Sequence, residues 1–103
     1  MEIKEIETEN GILFSISGSL SGTQKSTLNL FEVVSSALDK SSKGIVLDLK
    51  KISFVDSMSI GLLVGVLLKA KEKAILLRFQ NIPQHIERIF EATQLKKVFP
   101  ELY

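Results

Sequence analysis

The chemically pointed stretch of this chain is Phe54-Val55-Asp56-Ser57-Met58-Ser59, where a strand and short loop hand over to a long, nearly uncharged helix. A serine at such a junction has two uses. It can cap the helix, its oxygen accepting a free N–H group, worth about 1 kcal/mol over alanine. Asp56 can do the same. Neither is expected to complete a capping box, because Ile60 lies three residues after Ser57 and Ser59 three after Asp56. The other use is a phosphorylation switch. A helix N-terminus offers unpaired N–H groups and about half a positive charge. A phosphoserine of roughly −1.5 to −2 charges is therefore tolerated there. The same charge repels a partner that docks on an apolar surface.

Other chemistry finds little support. A nucleophilic Ser57 needs a base, yet His85 is the sole histidine and no G-x-S-x-G surrounds the serine. His85 itself reads as an exposed surface residue near a helix start. With one histidine and no readable carboxylate cluster, no metal site is expected. The glycines form neither GxxxxGK[ST] nor GxGxxG, so no nucleotide cofactor is expected either. The absence of cysteine excludes disulfides and thiolate catalysis. The expectation is a protein that is not an enzyme.

The 103 residues suit one domain spanning 1–103, and 45% hydrophobic content is ample for a core. Thirteen basic residues against twelve acidic ones leave a net charge of +1, so nothing advertises direct nucleic-acid binding. The pairs Lys50-Lys51 and Lys96-Lys97 read as solvated surface. The charged, alternating N-terminus is unlike a secretory signal. The longest uncharged apolar run, Ile60–Leu68, falls well short of the ~20 residues that span a bilayer. A soluble, cytoplasmic protein without membrane insertion is expected, and its oligomeric state is left open.

The elements that must position Ser57 follow from periodicity. Strands are expected near 2–8 and 11–18, paired antiparallel, with Asn10-Gly11 between them as a hairpin signal. Leu28, Phe31, Val33, Val34 and Leu38 mark the apolar face of a helix over 24–40, which Ser21 or Thr23 can cap. Ile45–Leu49 is a continuous apolar run suited to a strand buried on both faces. Asp48 interrupts it and needs the strand's end or a hydrogen-bond partner. A loop over 50–55 and a helix over 57–72 follow. In that helix Ile60, Leu63, Val64, Leu67 and Leu68 form the core side, while Met58, Leu62 and Val66 form another, on which Val66 reads as core and Met58 as the most open. Gly61 and Gly65 make a bare strip suited to close approach to the sheet. Ala74–Phe79 is a second interior-type strand. Pro83 suits the first position of a helix over 83–93, with Ile86, Ile89, Phe90 and Thr93 on its apolar face. Leu95, Val98 and Phe99 dock the tail. The fold class is α/β, a mixed β-sheet in the order ββαβαβα with helices packed on it, strands 45–49 and 74–79 lying parallel.

These residues carry a resemblance. The run VLDLKKISFVDSMSIGLLVGVLL is similar to the signature of STAS domains, specifically the stand-alone bacterial anti-sigma-factor antagonists. Asp48-Leu49, Phe54, Val55, Asp56, Ser57 and Gly61 match that pattern. Gly18-x-Leu20, Asn81-Ile82-Pro83 and the Leu95–Phe99 segment agree with it, so the likeness covers essentially the whole chain. It implies that Ser57 is phosphorylated by an anti-sigma factor, a serine kinase of the histidine-kinase-like ATPase type. The unphosphorylated form would bind that kinase and free a sigma factor, and a serine phosphatase would reset the cycle. The chain departs from the family at three places. Met58 replaces a small residue, Ser59 replaces glycine, and Ser21 replaces an acidic residue. Ser59 thereby becomes a second candidate phosphoacceptor. The expected partner surface comprises Ser21, Thr23, Phe54, Asp56, Ser57, Met58, Ser59 and Leu62. The competing expectations are a non-phosphorylated STAS scaffold subunit of a transporter or sensory complex, and a small-molecule-binding domain using the cleft at the strand ends.

Overall fold

Chain reversal at the first hairpin sets the edge of the sheet. In the computed structural model, which describes residues 2–9, 11–40 and 44–98, β1 (Glu2–Thr8) and β2 (Gly11–Leu20) pair antiparallel, from Glu2–Ser17 to Thr8–Gly11. Asn10 lies outside the described residues. Gly11 has φ +141°, and a Cβ there would collide with the Gly44 carbonyl, so only glycine fits. The chain continues through α1 (Lys25–Lys40), β3 (Gly44–Val55), α2 (Ser57–Glu72), β4 (Leu77–Gln80), α3 (Gln84–Ala92) and the single turn α4 (Leu95–Val98). The sheet order is β1-β2-β3-β4, with β3 parallel to both β2 and β4. The expected ββαβαβα order and mixed sheet are present.

Both crossovers advance the sheet in one direction, so right-handed connection places α1 and α2 on the same face. Phe14, Ile16, Ile45, Leu47, Leu49, Leu77 and Phe79 are buried on that face. α3 joins the same layer, where Phe90 stacks on Phe79 with ring centroids 5.2 Å apart. The intervening residues Leu13, Ser15, Val46 and Asp48 are only half-buried, and Arg78 and Gln80 are exposed. This corrects the expectation of strands buried on both faces: β3 and β4 alternate and are covered on one side.

Several boundaries also move. The expected loop over 50–55 is strand, because β2 runs on to Leu20 and pairs Ser17 with Lys51, Gly18 with Ile52, Ser19 with Phe54 and Leu20 with Val55. Register shifts between Ser15 and Ser17 and between Gly18 and Ser19 break the alternation there, which hid the strand from a period-two reading. The expected strand 74–79 shrinks to Leu77–Gln80. Ala74 turns with φ +56°, and the Ile75 N–H bonds back to the Ala70 carbonyl at 2.9 Å, so these residues finish α2. Pro83 stands one place before α3 as its N-cap, with extended backbone.

The helix faces are rotated from expectation in places. In α1 the buried set is Thr27, Leu30, Phe31, Val34, Ala37 and Leu38, while Leu28 and Val33 are each 42% exposed. In α2, Ile60, Leu63 and Leu67 are buried as expected, with Val66 and Ala70 beside them, but Leu68 is half out in solvent. α1 and α2 are also tied by Lys69, whose Nζ reaches the Ser35 hydroxyl at 2.7 Å and Asp39 at 3.0 Å. Ile86 and Phe90 anchor α3, Ile89 is half-buried and Thr93 is exposed just past its end. Leu95 is buried; the Val98 side chain and Phe99 lie outside what is described. Asp48 finds its partners, accepting from the Lys50 N–H at 3.0 Å and from the Gln80 and Asn81 amides at 3.3 Å each.

Gly61 and Gly65 overturn a further expectation. They face solvent rather than the sheet, and an added Cβ at either would meet nothing within 4 Å. Gly61→Ala and Gly65→Ala should each raise the stability of the isolated domain, by up to ~1 kcal/mol in denaturant unfolding. The fully buried Thr27 hydroxyl has no hydrogen-bond partner among the described residues. Thr27→Val removes that unsatisfied group at nearly constant volume, so denaturant unfolding should show a domain more stable by on the order of 1 kcal/mol.

Candidate functional site

The start of α2 is built by Asp56, not by Ser57. Asp56 holds an extended backbone (φ −108°, ψ 174°), and its Oδ1 accepts the Ser59 N–H at 2.8 Å. The Ser59 hydroxyl in turn accepts the Asp56 N–H at 3.1 Å and donates to the Asp56 carbonyl at 2.8 Å. A capping box is therefore present, contrary to expectation, with serine taking the place usually held by Glu or Gln. The short Ser59 side chain suffices because it points back into the turn, where it is 1% exposed. Ser59 is thus a buried structural hydroxyl in the folded domain, beneath the surface it was expected to join.

Ser57 becomes the first helical residue. It is exposed and takes no part in the capping box. On either side of it along the chain stand the two large apolar residues most open to solvent nearby, Phe54 at 49% and Met58 at 56%. Leu62, one turn after Met58, is half-buried.

Asp56 also reaches across the fold. Its Oδ1 and Oδ2 share the Gly22 N–H at 3.0 and 3.1 Å, and its own N–H points to the Leu20 carbonyl at 3.3 Å. The turn between β2 and α1 is thereby tied to the start of α2. In that turn the Ser21 and Thr23 hydroxyls lie 3.1 Å apart, and the Gln24 N–H closes on the Ser21 carbonyl at 3.0 Å. A Cβ on Gly22 would run into the Met58 side chain, so Gly22 and Met58 fit as a pair. Ser21, Thr23, Asp56, Ser57 and Met58 are brought to one end of the helix layer. Gly22 was missed, since one glycine among turn formers carries no sign of which carboxylate it will meet. His85 is exposed as expected, and its Nε2 lies 3.1 Å from the Ser53 carbonyl.

The Ser59 N–H holds the Asp56 carboxyl below the usual carboxylate range, against the opposing effect of desolvation. The Gly22 N–H and the Ser59 and Ser21 hydroxyls add to that lowering. A carboxyl with a depressed folded-state pKa contributes stability above its unfolded value, near 3.8. That contribution is lost as pH falls through the lower folded value. Asp56→Ser keeps a hydroxyl cap but cannot span to Gly22, whereas Asp56→Ala loses both contacts. The unfolding midpoint should fall in the order wild type, Asp56→Ser, Asp56→Ala at neutral pH. The gap between wild type and Asp56→Ala should narrow below about pH 4, measured by thermal melts across an acid series.

Comparison with known proteins places this geometry. The structure of the anti-sigma factor antagonist SpoIIAA in its unphosphorylated form superposes with a TM-score of 0.76 at 17% identity, covering 91% of this chain and 82% of that one. The Bacillus cell fate determinant SpoIIAA in its phosphorylated form superposes with a TM-score of 0.71, also at 17% identity, over 93% and 86% of the two chains. At that identity the likeness establishes a shared fold. The STAS domain family matches the sequence over residues 3–103. Carrying that match over nearly its whole length, the chain belongs to the STAS domain family.

Proposed function

We propose that this protein is an anti-sigma-factor antagonist that switches partners through phosphorylation of Ser57. The observation that carries the reading is the division of labour at the start of α2. Asp56 and Ser59 complete the cap between them, which leaves the Ser57 hydroxyl exposed and without a structural duty there. A phosphate on that hydroxyl would sit by the N-terminal N–H groups of α2, which favour negative charge. It would also stand next along the chain to exposed Met58, where a dianion opposes apolar docking. The fold's likeness to SpoIIAA, an anti-sigma factor antagonist solved in unphosphorylated and phosphorylated forms, supports the same reading.

In this proposal the protein is not an enzyme and works in the cytoplasm. Its unphosphorylated form binds an anti-sigma factor that is also a serine kinase, so that a sigma factor is released. A serine phosphatase restores the binding form. The partner surface comprises Ser21, Thr23, Phe54, Asp56, Ser57, Met58 and Leu62. Ser59 belongs to the cap that shapes this surface.

The test is a pull-down from the native host with wild type, Ser57→Ala and Ser57→Asp as baits. An ATPase-fold kinase retained by the first two and lost with Ser57→Asp, by about tenfold or more in affinity, supports the switch. Equal retention by all three would sink it and favour the scaffold reading. With purified kinase, Ser57→Ala should abolish phosphate incorporation. Ser59→Ala should lower the melting temperature yet leave incorporation at Ser57 intact, as mass spectrometry of the digested protein would reveal.

A further inference from the structure

Gly22 is gripped by the residues on either side of Ser57. The Asp56 carboxylate, one place before the serine, accepts the Gly22 N–H at 3.0 and 3.1 Å. Met58, one place after it, lies against the Gly22 Cα: the three nearest atoms that an added Cβ would meet are the Met58 Cβ, Cγ and Sδ. The positive-φ glycines among the described residues are Gly11 and Gly18, so the Gly22 backbone is one that an L residue can adopt. The space that a side chain at position 22 would need is therefore held by Met58. That methionine is in turn the most exposed large apolar side chain among the described residues, at 56% against at most 49% for the others. A methionine with three rotatable bonds loses conformational entropy when a partner orders it. Packed over Gly22, Met58 has given up part of that freedom beforehand, while more than half of its surface stays open to a partner.

We infer that Gly22 is a positioning residue for partner binding. Having no side chain, it seats Met58 as an apolar knob next along the chain to Ser57, and the partner supplies an apolar recess for that knob. Such a role rests on the Ser57 switch proposed above and names what the partner recognises beside the serine. A new Met58 rotamer cannot make room for a side chain at position 22, because the Met58 Cβ, fixed by the helix backbone, is itself among the atoms in the way. Gly22→Ala must therefore move the β2–α1 turn off the start of α2. Ser21 and Thr23 go with it, and the Gly22 N–H is drawn away from Asp56. Met58→Gly clears the obstruction, at the cost of the knob.

The test measures affinity for the purified anti-sigma factor kinase by isothermal titration, with circular dichroism melts to show that each variant is folded. Gly22→Ala and Met58→Gly should each weaken binding by about tenfold, as loss of an anchor does. With Met58→Gly already present, adding Gly22→Ala should change the affinity by less than about twofold, since nothing remains for the new methyl group to displace. If the partner touched residue 22 directly, Gly22→Ala would weaken binding equally in both backgrounds. If the contact served internal packing alone, Met58→Gly would bind as wild type does. Either result overturns the inference. Met58→Ala, which removes the knob and keeps a good helix former, repeats the loss of binding if Met58→Gly fails to fold.

Ser57→Asp in the same titration separates this role from the switch. Binding lost with Ser57→Asp but kept with Gly22→Ala overturns the role of Gly22 and leaves the switch standing. Binding lost with Gly22→Ala but kept with Ser57→Asp supports Gly22 and sinks the switch. The seat itself is also read without a partner. Wild type should show a nuclear Overhauser contact between the Met58 side chain and the Gly22 α-protons, which is readily assigned because Met1 is the only other methionine. Its absence from the wild-type spectrum overturns the inference whatever the titrations give.

Discussion

The structure around the start of α2 depends on the Asp56 carboxylate. One side chain closes the α2 cap through Ser59 and holds the Gly22 N–H of a turn 34 residues away. Charge-assisted bonds of this kind are stronger than neutral ones, and here two of them share an acceptor. Asp56 adds two hydrogen bonds to the Leu20–Val55 pairing and the Gly22–Met58 fit that hold the α2 start against the β2–α1 turn. Through these contacts Ser21, Thr23, Ser57 and Met58 are presented together.

The same constraint explains why Ser57 is free. A helix N-terminus needs its N–H groups satisfied, and a serine there is ordinarily spent on that need. Asp56 and Ser59 meet it from either side of Ser57, so the serine between them can carry a charge without unmaking the helix. Met58 extends the point: its side chain closes over Gly22 and still exposes more than half of its area. A residue that was notable in the sequence as a departure from the family pattern is, in the fold, part of the surface itself.

Much of the architecture could be read directly from the chain. Ile12, Phe14 and Ile16 alternate against Leu13, Ser15 and Ser17, and β2 follows that alternation. The 57–72 helix is found where the run after Asp56 placed it. The readings that failed needed knowledge of a distant neighbour. Residues 50–55 looked like loop because their pairing with β2 passes through register shifts. Gly61 and Gly65 looked like a packing strip, but helical spacing states only that they share a side, not which side faces the sheet. Ser59 lacked the length of Glu or Gln, and only the observed turn geometry brought its hydroxyl to the Asp56 N–H.

What the sequence by itself determined is therefore local: the first hairpin, the main helices, the parallel α/β order and the Asp56-Ser57 junction. Hydrophobic period and turn chemistry act over a few residues, so they survive in the linear chain. What only the tertiary structure decided is the side each residue takes and the company it keeps. The bond from Gly22 to Asp56, the burial of Ser59 beneath an exposed Ser57, and the bare face bearing Leu13 and Val46 are of this kind. Each depends on how strands and helices stack across long separations, where packing and desolvation choose among faces that periodicity leaves equivalent.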